Sequence, residues 1–433
     1  MKYGLITYKN MPIGRSKGTK KGDHAFFNIG DNIQMMAVRR IYKEELHISD
    51  KDIIEIDFHD LRNYCGEYVV VLINLFFFGC HDMKETWFPA SPYIIPIFVG
   101  VHFSSGILTD KECLYLGKYA PIGCRDEFTL STMRRYGIDS YLYGCITATF
   151  PRRSTEEERG TIFLVDVDEK IISRMPQELR RYKIEPVNHV IEGMFSEETY
   201  RDVENLAEDL IEKYEREAVL VITSRMHCAS PCVAMGIPTI MIVEERSQRI
   251  SWLSNLINIY SINELDKINW NPGIVDFEPI KEKMINVIKD RIADVINKYE
   301  NITQISNFFE IKEHINEFAR PFQAFFDRLD KLLLLDNDVT YYVWGGTALA
   351  EEAIYRIRER NSSWKLCGII DEYNDFTFCG MRSTSFSDLG SINNNSLFII
   401  TPTSSKDYIS SVIEEARIKM GRVLFADGDE KFL

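Results

Sequence analysis

The 433-residue sequence lacks the excess of positive charge that marks many nucleic-acid-binding proteins. It has 51 basic and 65 acidic residues, which give a formal net charge of −14. This balance argues against non-specific nucleic-acid binding and against a polybasic membrane anchor. It leaves room for a small anionic ligand, because a local cationic pocket can lie within an acidic protein.

The sequence also lacks a recognisable disulfide or metal framework. Its nine cysteines are odd in number and contain no CxxC pair, which is typical of reduced thiols in a cytoplasmic protein. Cys228 and Cys232 lie one helical turn apart beside His227, but a tetrahedral zinc site needs more ligands than this cluster offers. We therefore expect no metal.

Membrane segments and several catalytic signatures are missing as well. The first residues lack the apolar core of a signal peptide, and the most apolar run, Tyr68 to Cys80, is too short to span a bilayer. We therefore expect a cytoplasmic protein without a transmembrane segment. No GxSxG, HExxH, Walker or kinase motif occurs, which removes several hydrolase and phosphotransferase classes.

What the sequence does contain is an alternation of strand-like runs and helical stretches, which predicts α/β units with parallel sheets. A polar, Pro-led segment at 151–160 predicts a linker between the first two units. A third unit begins near Asn337. We predict three Rossmann-like units, over residues 1–150, 151–335 and 336–433.

The third unit has the element order of a nucleotide-binding βαβ. Its sequence TYYVWGGTALAEEAIYRIRERNSSWKLCGIIDEYND predicts a strand, a glycine turn, a helix, a strand and an acid, Asp371. The fingerprint is incomplete, because Thr347 stands in the place of the second glycine. We expect weak or no nucleotide binding, and a purely structural unit is the alternative.

The stretch VLVITSRMHCASPCVAMGIPTIMI, residues 219–242, predicts a strand, a loop, a short helix and a second strand. Arg225, Met226 and His227 fall where the first strand ends and the helix begins. Ligands of open α/β sheets bind at such junctions, and the free N–H groups of a helix start favour an anion. The alternative is a surface arginine beside a core histidine.

A similar junction occurs in APIGCRDEFTLSTMRRYG, residues 120–137. Asp126 is predicted to cap the helix, whereas Arg125 has no evident local role and is predicted to point into the same crevice. In LYGCITATF, Gly144 and Cys145 lead into Thr147, which can also be an ordinary tight turn.

The third junction is NIGDNIQ. Gly30 would let the backbone approach a neighbour closely. Asp31 could cap the helix or accept a proton from a bound hydroxyl, and capping is the simpler interpretation. His24, in the preceding Gly- and Lys-rich loop, is expected to be solvated.

These four junctions, NIGDNIQMMAV, IGCRDEFT, YGCITATF and VITSRMHCASPCVAMGIP, occur in an order that resembles the polysaccharide pyruvyl transferase family. The resemblance covers roughly the first 260 residues and leaves out the third unit. It implies a GT-B-like pair of facing Rossmann-like halves with the site between them. It also implies transfer of the enolpyruvyl carbons of phosphoenolpyruvate to two hydroxyls of one sugar, with formation of a cyclic ketal and no cofactor.

The resemblance assigns four residues to phosphoenolpyruvate: Arg125, Arg225, Met226 and His227. Two guanidiniums suit a donor that carries a phosphate and a carboxylate. We expect His227 to donate a proton and Asp31 to accept one from the acceptor hydroxyl, with Gly30 and Asn32 beside it. The expected partner is a saccharide, polymeric or lipid-linked, and the sequence is compatible with an oligomer.

Two other functions fit the same residues. The first is a GT-B glycosyltransferase, whose nucleotide sugar would place its diphosphate against the arginines and the histidine. The second is a catalytically silent sugar-binding or regulatory protein, with the third unit as the binding module. The intact set of Arg125, Arg225 and His227 argues for an enzyme.

Overall fold

A computed structural model gives the fold of this protein. The described residues are 1–9, 24–77, 90–91, 93–104, 106–108, 110–154, 159–194, 196–302, 322–335, 338–345, 348–361, 363–372, 377–378, 380–389, 396–402, 409–412, 422–426, 428 and 430–431.

Strands and helices alternate along most of this chain. The described strands are β1 (Lys2–Thr7), β2 (His24–Asn28), β3 (Ile53–Asp57), β4 (Val69–Ile73), β5 (Phe76–Phe77), β6 (Ile94–Phe103), β7 (Ile122–Cys124), β8 (Ser140–Leu142), β9 (Thr161–Val165), β10 (Lys183–Val187), β11 (Val190–Met194), β12 (Ala218–Thr223), β13 (Thr239–Val243), β14 (Ile259–Ser261), β15 (Thr340–Trp344), β16 (Lys365–Ile370), β17 (Thr377–Phe378), β18 (Met381–Arg382), β19 (Leu397–Ile400), β20 (Arg422–Phe425) and β21 (Glu430–Lys431). The longer α-helices are α1 (Ile29–Arg40), α2 (Asp110–Lys118), α3 (Glu127–Arg135), α4 (Glu197–Glu217), α5 (Met226–Ala234), α6 (Glu278–Ile302), α7 (Gln323–Leu335) and α8 (Ala348–Arg360).

Two parallel sheets carry the candidate site. The first has the strand order β3-β1-β4-β6-β7-β8, with β5 paired to the end of β6, and the second has the order β10-β9-β12-β13-β14. Every residue of β4 and β6 is buried, as expected for strands covered on both faces. The carboxyl ends of β7 and β12 lead directly to Arg125 and to Ser224.

A two-stranded ribbon joins these two parts of the chain. Strand β2 pairs antiparallel with β11, so that Asn28 faces Val190 and His24 faces Met194. Helix α1 follows β2 at once and packs against α4 and α5, which belong to the second part. Strand β2 was missed in the sequence, where residues up to Phe27 were predicted to be a polar loop.

The third unit forms its own sheet, with the strand order β16-β15-β19-β20-β21. Gly345 follows β15 with a φ of +95°, and a Cβ placed there would lie 2.5 Å from Cγ of Pro402. Pro402 therefore fills the space beside Gly345 that the glycine turn of a dinucleotide site would leave open to its ligand. The fingerprint positions 346 and 347 lie outside the described residues.

The helix caps test two predictions from the sequence. Asp126 caps α3 by accepting from Thr129 N at 2.9 Å, so this predicted cap is confirmed, and Ser196 caps α4 by accepting from Thr199 N at 3.1 Å. The predicted cap at Asp31 is wrong. Asn28 caps α1 by accepting from Gly30 N at 3.1 Å, which leaves the Asp31 carboxylate in the first helical turn without that role.

The third unit packs directly on the first sheet. The guanidinium of Arg358 lies over the rings of Tyr93 and Tyr68, at 3.8 and 4.8 Å from their centroids, and the Tyr355 hydroxyl donates to Ala90 O. Buried apolar side chains from all three sheets belong to one continuous cluster. The prediction of Rossmann-like α/β units is confirmed, whereas the GT-B arrangement and the domain boundaries stay predictions.

Candidate active site

The residues predicted for the site converge on one region between the first two sheets. They are Gly30, Asp31, Asn32, Arg125, Arg225, Met226 and His227. Gly30 and His227 come from opposite parts of the chain, yet a Cβ placed on Gly30 would lie 3.1 Å from both Cβ and Cδ2 of His227. The close approach predicted for Gly30 is confirmed, and it brings the start of α1 against the start of α5.

Arg125 is completely buried, with an exposed fraction of 0%. Its Nε donates to Gly100 O at 2.8 Å, and its Nη2 donates to Asn74 O at 2.5 Å and to Gln34 Oε1 at 3.1 Å. The expectation that Arg125 lacks a local role is therefore wrong, because it bonds β6, helix α1 and the residue after β4. Its Nη1 is buried without a hydrogen-bond partner among the described residues, so this nitrogen can serve a ligand.

Arg225 is oriented by an acid that the sequence analysis missed. Its Nε donates to Asp166 Oδ2 at 2.6 Å, and 40% of its side chain is exposed. Asp166 follows β9 in the left-handed region, with a φ of +50°. Its carbonyl accepts from Ser224 Oγ at 2.8 Å, and its Oδ2 also accepts from His189 N at 3.2 Å. Aspartate is among the residues that adopt this conformation most readily, and here it places the carboxylate against Arg225.

His227 is a buried, neutral imidazole in the free protein. Burial lowers its pKa well below the ordinary value, and the positive charges of Arg125 and Arg249 lower this pKa further. Its Nδ1 lies 3.6 Å from the buried Cys145 Sγ, which itself lies 3.1 Å from Thr147 Oγ1. The turn GCIT therefore supplies the thiol that contacts the imidazole.

Asp31 is partly buried, and loss of solvent raises its pKa to about 6. A hydrogen bond from Asn28 and the charges of Arg249 and Arg125 lower this pKa but do not offset the burial. Its Oδ1 accepts from Gln34 Nε2 at 3.4 Å. A carboxyl that titrates near neutrality can accept a proton in a reaction near physiological pH.

The two remaining predicted residues differ in what they can offer a ligand. Asn32 is buried, and its Oδ1 has no hydrogen-bond partner within the described ranges. Met226 is buried in the hydrophobic core cluster, so its side chain serves packing. Met226 begins α5, whose first N–H groups lack intrahelical partners, and a donor contact at Met226 stays a prediction.

A third arginine, Arg249, was not predicted from the sequence. It lies on the 3₁₀ turn Gln248–Ile250, which follows β13, and its guanidinium stands 4.8 Å from the ring centroid of Phe76. Burial lowers the pKa of Arg249, and so does the positive charge of Arg125. The negative charge of Asp31 raises the pKa of Arg249, and the positive charge of Arg225 lowers it. Its position after a strand of the second sheet was the available signal.

His24 is exposed on β2, as predicted, and its Nε2 lies 2.8 Å from Glu192 Oε1. The described part of the chain contains no group of three or more His, Cys, Asp or Glu side chains arranged to hold a metal ion. Of the helices in the described ranges, none combines the length and the hydropathy needed to cross a bilayer.

The site thus gathers three guanidiniums and a neutral imidazole that follow strands of the two parallel sheets, together with a carboxyl of raised pKa at the start of α1. A profile described as polysaccharide pyruvyl transferase matches residues 28–246, a segment that contains every one of these groups except Arg249. This match covers more than half of the chain. The chain belongs to the polysaccharide pyruvyl transferase family. The resemblance seen in the four sequence junctions is confirmed, and membership implies a transferase that acts in pyruvyl transfer to polysaccharide.

Other comparisons add little to this family assignment. Comparison with curated proteins gives no match. A crystal structure of a functionally uncharacterised protein from Klebsiella pneumoniae subsp. pneumoniae is similar over 59% of this chain and 88% of that chain. The sequence identity is 10% and the TM-score is 0.34, which is too low to support an argument about the arrangement of the units.

Proposed function

We propose that the protein transfers the enolpyruvyl group of phosphoenolpyruvate to two hydroxyls of one saccharide, with formation of a cyclic ketal and release of phosphate. This proposal rests on one observation: Arg125, Arg225 and His227 lie close to Asp31 at the start of α1. Family membership supports pyruvyl transfer, and the charges of this site support a small donor with two acidic groups.

The donor would be held by charge-assisted hydrogen bonds. Phosphoenolpyruvate carries a phosphate and a carboxylate, and planar guanidiniums bind both groups in a bidentate manner. Arg125 retains one buried nitrogen without a partner, and Asp166 fixes the plane of Arg225. We infer that these two arginines divide the two acidic groups of the donor between them.

The proposed reaction balances without an added oxidant or reductant. The two acceptor hydroxyls each form a bond to the central carbon of the donor, and the bond from that carbon to the phosphate oxygen breaks. One hydroxyl proton ends on the methylene carbon, which becomes a methyl group, and the other ends on the released phosphate. The protein therefore has to move protons and to stabilise charge, which its own side chains can do.

His227 and Asp31 are the residues we assign to this proton transfer. When the Cys145 thiol donates to Nδ1, the single ring proton of neutral His227 lies on Nε2, where it can donate a hydrogen bond to the donor phosphate. Only the protonated ring can give a proton to the departing phosphate or to the methylene. An incoming phosphate group favours the protonated ring, because its negative charge opposes the effect of the arginines. Asp31, when ionised, accepts the proton of the attacking hydroxyl.

The acceptor saccharide would approach from the side of α1. Gly30, Asp31 and Asn32 lie in the first turn of this helix, and the unpartnered Asn32 Oδ1 can accept from a sugar hydroxyl. Helix α1 belongs to the first part of the chain and packs on α5 of the second. We propose that the two parts face each other in a GT-B-like manner, with donor and acceptor between them.

The test is to incubate the purified protein with phosphoenolpyruvate and candidate saccharides and to look for the mass of a ketal-linked pyruvyl product. Arg225→Ala should lose about 1.5–3 kcal/mol of donor binding, because it loses a charge-assisted hydrogen bond. Arg174→Ala is the matched control, since Arg174 also pairs with an aspartate, Asp266, at 3.0 Å on the surface.

Thermal unfolding separates this proposal from its main rival. A ligand present at about a hundred times its Kd adds about 2.7 kcal/mol of stability. Phosphoenolpyruvate should raise the Tm of the wild type and of Arg174→Ala, and it should raise the Tm of Arg225→Ala by about half as much or less, because this variant binds the donor more weakly. If nucleotide sugars raise the Tm and phosphoenolpyruvate has no effect, the protein is a glycosyltransferase instead.

A further inference from the structure

We propose that Arg249 is a third donor-binding arginine, which contacts an acidic group of the donor and is held in place by the stacked rings of Phe76 and His102. This inference rests on the proposed donor, phosphoenolpyruvate. It adds a binding residue from a segment beyond the part of the chain that the family profile matches, which ends at residue 246.

Packing places the segment that carries Arg249 beside the imidazole of the site. Trp252, three residues later, lies against Gly144, where an added Cβ would come within 3.1 Å of the indole Cε3. Gly144 immediately precedes Cys145, whose Sγ contacts His227 Nδ1. The turn with Arg249 also packs near α3, which begins just after Arg125.

The guanidinium of Arg249 lies over a pair of stacked aromatic rings. It lies 4.8 Å from the ring centroid of Phe76, and the Phe76 and His102 rings are stacked with a centroid distance of 4.8 Å and an interplanar angle of 8°. His102 Nδ1 lies 2.5 Å from Asp126 Oδ2, and Asp126 is fixed because it caps α3. Stacking on a ring occupies one face of a guanidinium and leaves its N–H edges free for an anion.

The edges of this guanidinium have no protein acceptor within the described ranges, which distinguishes Arg249 from its neighbours. Arg225 donates to Asp166, and Arg125 donates to two carbonyls and a glutamine. Arg249 instead has positive charges nearby, and Arg125 and Arg225 both disfavour its charged form. Like charges held together in a partly buried site are stabilised by an anion that binds among them.

The charge of the donor fits three guanidiniums. A phosphate ester carries about −1.5 to −2 near neutral pH, and the carboxylate of phosphoenolpyruvate adds one more negative charge. Asp166 is already engaged by Arg225, and the pKa of Asp31 is about 6. Because Asp166 offsets one positive charge, a third arginine brings the net positive charge of the site closer to the negative charge of the donor.

Titration calorimetry with phosphoenolpyruvate and with inorganic phosphate tests the assignment in the full-length protein. We expect Arg249→Ala and Arg249→Gln to weaken phosphoenolpyruvate binding by about 10- to 100-fold, as for one charge-assisted hydrogen bond. Arg249→Lys should give an intermediate loss, because it keeps the charge but not the planar edge. Arg246→Ala is the matched control, since Arg246 is 61% exposed and bonds Glu264 Oε2 at 2.8 Å.

A double-mutant cycle tests the positioning role of the ring. Phe76→Leu should raise the Kd for phosphoenolpyruvate several-fold when Arg249 is present and should have no further effect in the Arg249→Ala background. An equal loss in both backgrounds would show that Phe76 acts independently of Arg249 and would overturn the stacked support.

The outcomes separate this inference from the proposed function. Wild-type affinity for phosphoenolpyruvate in folded Arg249→Ala and Arg249→Gln overturns the role of Arg249. If the wild type binds inorganic phosphate but not phosphoenolpyruvate, the proposed donor is wrong. In that case, loss of phosphate binding in Arg249→Ala still supports an anion-binding arginine, and unchanged phosphate binding overturns it. A wild type that binds neither anion contradicts both proposals.

Discussion

Asp31 is a carboxyl whose pKa lies close to the pH at which enzymes work. Burial raises the pKa of Asp31 to about 6, even though the positive charges of Arg249 and Arg125 lower it. A base must be ionised to accept a proton, so kcat/KM should rise as the pH increases through about 6. Asp31→Asn should lose most activity, and its residual rate should lack this limb of the pH profile. An unchanged limb in Asp31→Asn would assign the titration to another group.

In the proposed function Asp166 affects the donor through Arg225, and the effect of its backbone conformation can be separated from that of its charge. Asp166→Ala and Asp166→Gly should both raise the KM for the donor by about tenfold or more, because Arg225 loses the charged partner at 2.6 Å. Glycine suits the φ of +50°, so Asp166→Gly should keep the fold while still losing donor affinity. Asp338→Gly is the control, since Asp338 also has a positive φ, of +60°, in the third unit. Donor affinity in Asp166→Gly equal to that of the wild type would leave the carboxylate without this positioning role.

At the scale of elements, the site depends on how closely two helix starts approach. A methyl group on Gly30 would meet His227 and the Asn28 cap at 3.1 Å, a separation tighter than ordinary packing. Gly30→Ala should therefore displace the imidazole by a few tenths of an ångström and lower kcat. The Tm should change little, because alanine favours the helix by up to about 1 kcal/mol and offsets part of the crowding.

Gly117→Ala provides the matched control for this substitution. Gly117 also lies within a helix, α2, and a Cβ placed there meets nothing within 4 Å. The Gly117→Ala substitution should leave kcat unchanged. A kcat of Gly30→Ala equal to the wild-type value would show that the His227 ring tolerates the added methyl group.

The sequence predicted the strands and helices that are marked by a pattern of neighbouring residues. The apolar runs Tyr68 to Leu75 and Ile94 to Val101 predict buried strands, which the structure has at Val69–Ile73 and Ile94–Phe103, and Asp126 precedes its helix at cap spacing. The cap of α1 was misassigned because Asn28 and Asp31 are both good caps, and only the backbone geometry distinguishes them. The five-residue strand β2 was missed because it is short and its partner β11 lies in the second part of the chain.

The site could be predicted only in part, for a similar reason. Arg225 and His227 follow an apolar strand at the start of a helix, so the sequence pattern predicts them as candidates. Asp166 is recognised only through its contact with Arg225, which lies 59 residues later in the sequence. Arg249 follows a strand at a greater distance, and its role depends on the position of Phe76. Tertiary contacts of this kind leave no periodic pattern in the sequence.

At the scale of the whole molecule, His189 couples the stability of the fold to acid. Its carbonyl accepts from Ile29 N at 2.9 Å and its Nε2 lies 2.9 Å from the Tyr214 hydroxyl, so it joins the start of α1 to the second sheet's helix α4. Burial lowers the pKa of His189 to about 4, with Arg225 adding to the effect and Asp166 opposing it. As the pH falls from about 6.5 towards 4, the unfolded chain takes up a proton that the native protein does not, so stability is lost.

The loss attributable to His189 should approach about 3 kcal/mol at pH 4, because one pKa unit is worth about 1.4 kcal/mol. His227 acts in the same direction, whereas the raised pKa of Asp31 stabilises the protein as the pH falls from about 6 towards 4. Urea unfolding at pH 7 and pH 5 should show a smaller loss of stability in His189→Gln than in the wild type. His24→Gln, at an exposed position, should match the wild type. An equal loss in His189→Gln would assign the acid sensitivity to other groups.

The pairing of β2 with β11 has a consequence for the order in which the protein is made. A ribosome releases the first sheet and α1 well before Val190–Met194 exists, so β2 leaves the exit tunnel as an unsatisfied edge. The face of α1 that packs on α4 and α5 is also uncovered during this interval. Asp31 and His227 can meet only after the second sheet has been synthesised. We therefore expect a chain that ends before Val190 to lack activity and to leave the edge of β2 and this face of α1 uncovered.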